Sequence, residues 1–180
     1  MKNHLLVSIR ITIMLLFITC GIYPFAVWAI GQLAFNRQAN GSLIVHKGRI
    51  MGSELIGQSF VSDRFFHPRP SAAGKDGYDP TASGGTNLGP TSKKLRDSIA
   101  AAIGSARDVP GDAVTSSGSG LDPHISPENA YLQAPRVARA NGMSEAAVRS
   151  LIERHIEPRF VGIYGEPRVN VLALNLELQK

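Results

Sequence analysis

Apolar and polar positions are distributed very unevenly along the chain. From Ile11 to Phe35, 25 consecutive residues carry no charge, and only Thr12, Thr19 and Gln32 are clearly polar. A helix of that length rises about 37 Å at about 1.5 Å per residue, enough to cross a hydrocarbon core of about 30 Å with tilt. Pro24 predicts a kink, which membrane helices tolerate, and Tyr23 and Trp28 are candidate interfacial anchors. A secretory signal is the rival: Lys2 and Arg10 form a basic start, and Ala29 offers a small residue for cleavage. The run continues through Ile30, Leu33, Ala34 and Phe35, longer than such signals need. An uncleaved single-pass anchor is therefore preferred.

Beyond Phe35 the pattern changes. Ser42–Val45 and Arg49–Ile56 read as short strands around a three-residue turn, His46-Lys47-Gly48. Residues 66–126 hold nine glycines and six prolines, a density that marks turns and loops. One helix interrupts them, Thr91 to Arg107, with Leu95, Ile99 and Ile103 on one face between Pro90 and Pro110. Ser126-Pro127-Glu128 opens a second helix running to about Ala140, closed by Asn141-Gly142. Ser144 opens a third, with Val148, Leu151 and Ile152 on one face and Pro158 as its stop. From Val169 to Leu178, alternation predicts a closing strand. The expected class is α+β: a tail at 1–10, a transmembrane helix at 11–35, and a mixed domain at 36–180. In that domain a sheet from its two ends surrounds about three helices.

Composition narrows the function. Lys2 and Arg10 are the only charges in the first 35 residues, leaving 17 basic against 14 acidic residues in the remainder. These are scattered, without the basic stripe of a nucleic-acid surface. The single cysteine, Cys20, lies inside the apolar run, which excludes an intrachain disulfide and a cysteine-based zinc site. Flanking charges are nearly balanced, with Arg37, Lys47 and Arg49 following the span, so they set orientation weakly. A short tail inside and the domain outside is the simplest insertion route.

Enzyme signatures fail one by one. Gly84–Gly89 has the glycine spacing of a phosphate loop, but Pro90 and Thr91 stand where Lys and Ser/Thr are required. Ser119, Asp122 and His124 lie within six positions in a loop, whereas a hydrolytic triad joins residues distant in the chain. Their context reads as turn and capping chemistry. The histidines at 4, 46, 67, 124 and 155 lack metal-ligand spacing. Asp79, Asp122 and Glu166 could draw cations, although capping explains each.

Several segments occur in a distinctive order. They are Gly52–Gln58, Phe65-Phe66-His67-Pro68-Arg69-Pro70-Ser71, Ser83–Ser92, Val114–Pro127, Gln133–Ala138 and Gly165–Asn175. The series resembles the C subunit of the bacterial Kdp potassium-transporting ATPase over nearly the whole chain. The resemblance implies a non-catalytic, single-pass accessory subunit of a high-affinity potassium uptake complex in the inner membrane. Its implied partners are a potassium-channel-like subunit, a P-type ATPase subunit and a small membrane peptide. The chain agrees by lacking an Asp-Lys-Thr-Gly-Thr phosphorylation motif, and one helix cannot enclose a conduction path.

Two roles follow from the resemblance, and they conflict. A catalytic chaperone would raise the ATP affinity of the ATPase subunit through a transient complex, with Ser116, Ser117, Gly118, Ser119, Gly120 and Gln133 at the nucleotide. No tightly bound cofactor or metal is implied. Alternatively, the domain packs on the channel-like subunit outside the cytoplasm, where ATP is not available. Backbone N–H groups of a Ser/Gly loop suit phosphate, yet no Lys or Arg lies between Arg107 and Arg136. Assembly is preferred. A membrane-anchored extracytoplasmic hydrolase using Ser119 and His124, or a binding domain released after Ala29, are the alternatives.

Overall fold

A computed structural model describes residues 2–104, 106 and 108–179, and its contacts divide into two units with the boundary after Leu43. The first unit is helical: α1 (Lys2–Phe17), a π turn (Ile18–Ile22), α2 (Tyr23–Ala34) and the short α3 (Asn36–Ala39). Residues 2–10, expected as a tail, are thus already helical. Asn3–Ala34 is long and apolar enough to cross a bilayer, with a mean hydropathy of 2.3 and none of that window buried.

The π turn is the local answer to Pro24, which has no N–H to offer the preceding turn. The Tyr23 N–H instead reaches back five residues to the Ile18 carbonyl, a widening that lets the helix pass the ring. Three hydroxyls inside the helix are satisfied internally. Ser8, Thr12 and Thr19 each donate to the carbonyl four residues earlier, at 2.7 to 2.9 Å. At the far end Asn36 and Asn40 both donate to Gln32 Oε1 at 3.1 Å, giving the helix a polar terminus.

The second unit carries two small sheets. β1 (Leu43–His46) and β2 (Arg49–Ser53) form a hairpin whose turn is two residues, not three. Lys47 and Gly48 both take positive φ, 49° and 76°, the geometry that matches strand twist. The second sheet has the order β3–β5–β4, built from His124–Ile125, Arg168–Asn170 and Ile156–Glu157, all antiparallel. The first hairpin does not join it, so the expected sheet from the domain's two ends is replaced by two separate ones.

The closing strand is shorter than alternation predicts. It stops at Asn170, whose side chain accepts from the Ala173 N–H at 3.0 Å and caps α8 (Val171–Glu177). Val171, Leu172, Leu174, Asn175 and Leu176 are all buried. An apolar run enclosed on most sides satisfies helix and strand equally, and the Asn cap decides.

The helices otherwise follow their signals. α4 (Lys93–Ile103) is capped by Ser92 and ends at Gly104, φ 55°, short of the expected Arg107, which lies outside the described residues. A short α5 (Gly111–Val114) precedes α6 (Pro127–Asn141), capped by Ser126 and closed by Gly142 in the left-handed region. α7 (Glu145–Arg154) begins at Ser144 and ends before β4 rather than at Pro158. α6, α7, β5 and α8 enclose the core: Ala130, Ala134, Val137, Val148, Ile152, Val169 and Leu174 are fully buried, joined by Phe66 from the long loop.

Candidate functional site

Residues 54–92 contain no helix or strand, yet Phe66 is completely buried. Buried backbone groups need partners, and here two side-chain amides supply them. Asn175 on α8 accepts the Phe66 N–H at 2.8 Å and donates to the Phe66 carbonyl at 2.9 Å. Gln133 on α6 does the same for His67, at 2.7 and 3.0 Å. Each amide takes the place of a neighbouring strand. Gln133 has no capacity to spare, since its Oε1 also accepts from Arg136 at 2.7 Å and its Nε2 donates to Asn129 at 3.0 Å. Asn129 is tied in turn to Asp112, which accepts the Ser126 N–H and hydroxyl.

The Ser116–Gly120 stretch lies elsewhere. It packs against the first glycine-rich segment, with the Gly84 N–H donating to the Ser119 carbonyl at 2.9 Å and Ser71 Oγ donating to the Gly120 carbonyl at 2.6 Å. Gly120 has φ 68°, and a Cβ there would sit 2.6 Å from the Gly84 carbonyl oxygen. A Cβ on Gly85 would meet the Gly118 carbonyl at 2.9 Å. The glycines permit two loops to touch backbone to backbone. Ser117 is buried, while Gly118 and Ser119 are exposed. A cavity of about 250 Å³ beside Gln133 includes His67, Asn129 and Arg136 in its lining and none of residues 116–120. The six residues expected at a nucleotide therefore do not converge on one cavity.

A charged cluster missed by the sequence reading lines the largest recess, about 500 Å³. Arg69 Nη1 meets Asp122 Oδ2 at 3.1 Å, and Asp122 Oδ1 accepts the His124 N–H at 3.0 Å and faces His124 Nδ1 at 3.4 Å. His124 Nε2 lies 4.0 Å from Glu157, which Arg168 binds at 2.9 Å. Arginine, carboxylate, imidazole, carboxylate and arginine alternate. Burial pushes the Asp122 carboxyl up, but hydrogen bonds from His124 and Arg69 outweigh it and hold it below its ordinary value. Arg69 also donates to the Ser116 carbonyl at 3.4 Å, and its Nε is buried without a partner. The signal for this cluster was the Pro68-Arg69-Pro70 setting, which stiffens the chain on both sides of one cation.

The chemistry available is structural. His124 faces carboxylates through both ring nitrogens, and Ser119 Oγ accepts from the Leu121 N–H at 3.1 Å, so no serine–imidazole pair forms. Asp79 binds the Thr81 N–H and hydroxyl, and Glu166 pairs with Arg159 at 2.6 Å. Among the described residues no group of three or more His, Cys, Asp or Glu side chains is placed to hold a metal. Near Gln133, burial and then the Arg136 charge lower the His67 pKa, and burial lowers that of Arg136.

Comparison with known proteins decides the family. A family model described as KdpC, K+-transporting ATPase, c chain, matches residues 5–180. The chain belongs to the KdpC family. It is 50% identical over 185 residues to the potassium-transporting ATPase KdpC subunit of Allorhizobium ampelinum, covering 99% of this chain and 96% of that one. The Koribacter versatilis subunit of the same description is 46% identical, with 99% and 95% covered. That of Mycobacterium bovis is 49% identical, with both chains covered completely. The segments with the most elaborate contacts here, residues 65–71, 83–92, 114–127 and 165–175, are those in which the resemblance was legible.

Proposed function

We propose that this chain is the non-catalytic accessory subunit of a high-affinity, ATP-driven potassium uptake complex, which it assembles and stabilises. It sits in the inner membrane by one uncleaved helix, with its amino terminus in the cytoplasm and the second unit outside. The observation that carries the reading is the pairing of an entirely unburied apolar helix with a domain whose polar side chains are occupied in holding its own loops. Such a domain presents shape rather than reactive groups. Its partners are a potassium-channel-like subunit, a P-type ATPase subunit and a small membrane peptide.

A rise in ATP affinity of the ATPase subunit follows, on this reading, from assembly rather than contact. Gln133 spends all its amide capacity on His67, Asn129 and Arg136, and the basic group nearest the Ser/Gly loop, Arg69, is paired with Asp122. ATP, if it meets the chain, does so only in a transient complex with the ATPase subunit.

The test is deletion and co-purification. Membranes lacking the chain should lose potassium-stimulated ATP hydrolysis, and the tagged full chain should bring down a polytopic ATPase. A chain that purifies alone from native membranes, with ATP hydrolysis intact in its absence, sinks the proposal.

A further inference from the structure

The connection between β4 and β5 ends in a tip with no role inside the molecule. Phe160, Val161, Ile163 and Tyr164 are 75%, 73%, 69% and 70% exposed, four large apolar side chains in five residues. None of them packs against the core. The backbone holds them in a closed turn: Phe160 and Tyr164 exchange hydrogen bonds at 2.8 and 3.0 Å, and the Gly162 N–H reaches Arg159 at 3.0 Å. Val161 takes φ 53°, a costly conformation for a β-branched side chain. A rigid, strained and water-exposed apolar tip is a poor choice for a surface loop unless something covers it.

Charge at the base of the tip narrows what that is. Arg159 pairs with Glu166 at 2.6 Å and Arg168 with Glu157 at 2.9 Å, so each cation is cancelled by its own carboxylate. Attachment to an anionic bilayer draws on unpaired Lys and Arg beside the apolar residues, and none is present at this base. Two copies meeting tip to tip would set one projection against another, without the self-complementary surface that a twofold contact needs. An apolar centre with aromatic anchors inside a neutralised polar rim is instead the anatomy of a protein interface.

We infer that Phe160, Val161, Ile163 and Tyr164 form the anchor of a subunit interface, seated in an apolar pocket on the extramembrane surface of another subunit of the same complex. The inference rests on the accessory-subunit reading.

The experiment uses the full chain in native membranes. A photoreactive benzoyl-phenylalanine at Val161 should crosslink to another subunit of the complex, identified by mass spectrometry. Separately, Phe160→Ser with Tyr164→Ser should lower the co-purified partner by about tenfold or more, the scale of losing interface anchors. Its unfolding temperature should stay that of the wild type. Crosslinks confined to lipid or to a second copy overturn the proposal, as does wild-type recovery of the partner by the double variant. If the wild-type chain itself brings down no partner, the accessory-subunit reading fails and takes this inference with it. If the double variant loses its fold, the crosslink decides alone.

Discussion

Asn175→Leu isolates what the amide clamp contributes. Asn and Leu have the same branched outline, so the substitution leaves little cavity and removes only polar capacity. Asn175 and Phe66 are both 0% exposed, and the two bonds between them are 2.8 and 2.9 Å. Without the amide, the Phe66 N–H and carbonyl are buried and unpaired, at about 1–3 kcal/mol each. The leucine returns about 1.5–2 kcal/mol through its apolar surface. The expected net loss is about 2–3 kcal/mol, or about 6–12 °C in Tm for a unit of this size. Thermal unfolding of the full chain in detergent, followed by circular dichroism, reads it. Hydrogen exchange at the Phe66 amide should accelerate in parallel. A variant as stable as the wild type, with that amide still protected, would refute the clamp as the reason the long loop is ordered.

Four further expectations follow from the same contacts. Gln133→Ala should destabilise the domain by about 2–4 kcal/mol, because the His67 backbone groups lose their partners; equal stability with lost ATP affinity would instead make Gln133 a nucleotide residue. Gly120→Ala should cost about 1–3 kcal/mol through its positive φ and the contact with the Gly84 carbonyl, read as a lower Tm. His67 has a folded pKa below its unfolded value, so the unfolded chain binds the extra proton. Stability should fall as pH drops from about 7.5 through about 6.5 toward that lowered value, and His67→Gln should flatten this slope in pH-dependent unfolding. Finally, Ser119→Cys in a Cys20→Ser background should label with an impermeant thiol reagent in intact spheroplasts; protection until lysis would place the domain inside and reverse the proposed topology.

Asp122 extends the pH argument to acid. Its carboxyl is held below its ordinary value, so its contribution is complete above about 3.9, the unfolded value, and is lost as pH falls through the lower folded one. Arg69 supplies part of that depression, and it was invisible in the sequence because a lone arginine between prolines has no periodicity to place it. Asn175 did leave a trace, being the polar residue buried within an apolar run, but its partner lies 109 residues away.

What the amino-acid sequence determined by itself was local. The uncharged run, the serine caps of α4, α6 and α7, the Pro at the start of α6 and the glycine closing it each act within a few residues, so their spacing suffices. The α+β class and the family were legible for the same reason, since motifs of six to twelve residues survive as written. Tertiary structure decided everything that depends on meeting a distant segment. It turned Val171–Glu177 from strand to helix, kept the first hairpin out of the second sheet, and spent Gln133 on the backbone of His67. It also left Phe160–Tyr164 uncovered. Exposure is the balance of all neighbours a side chain fails to find, and no window along the chain contains them.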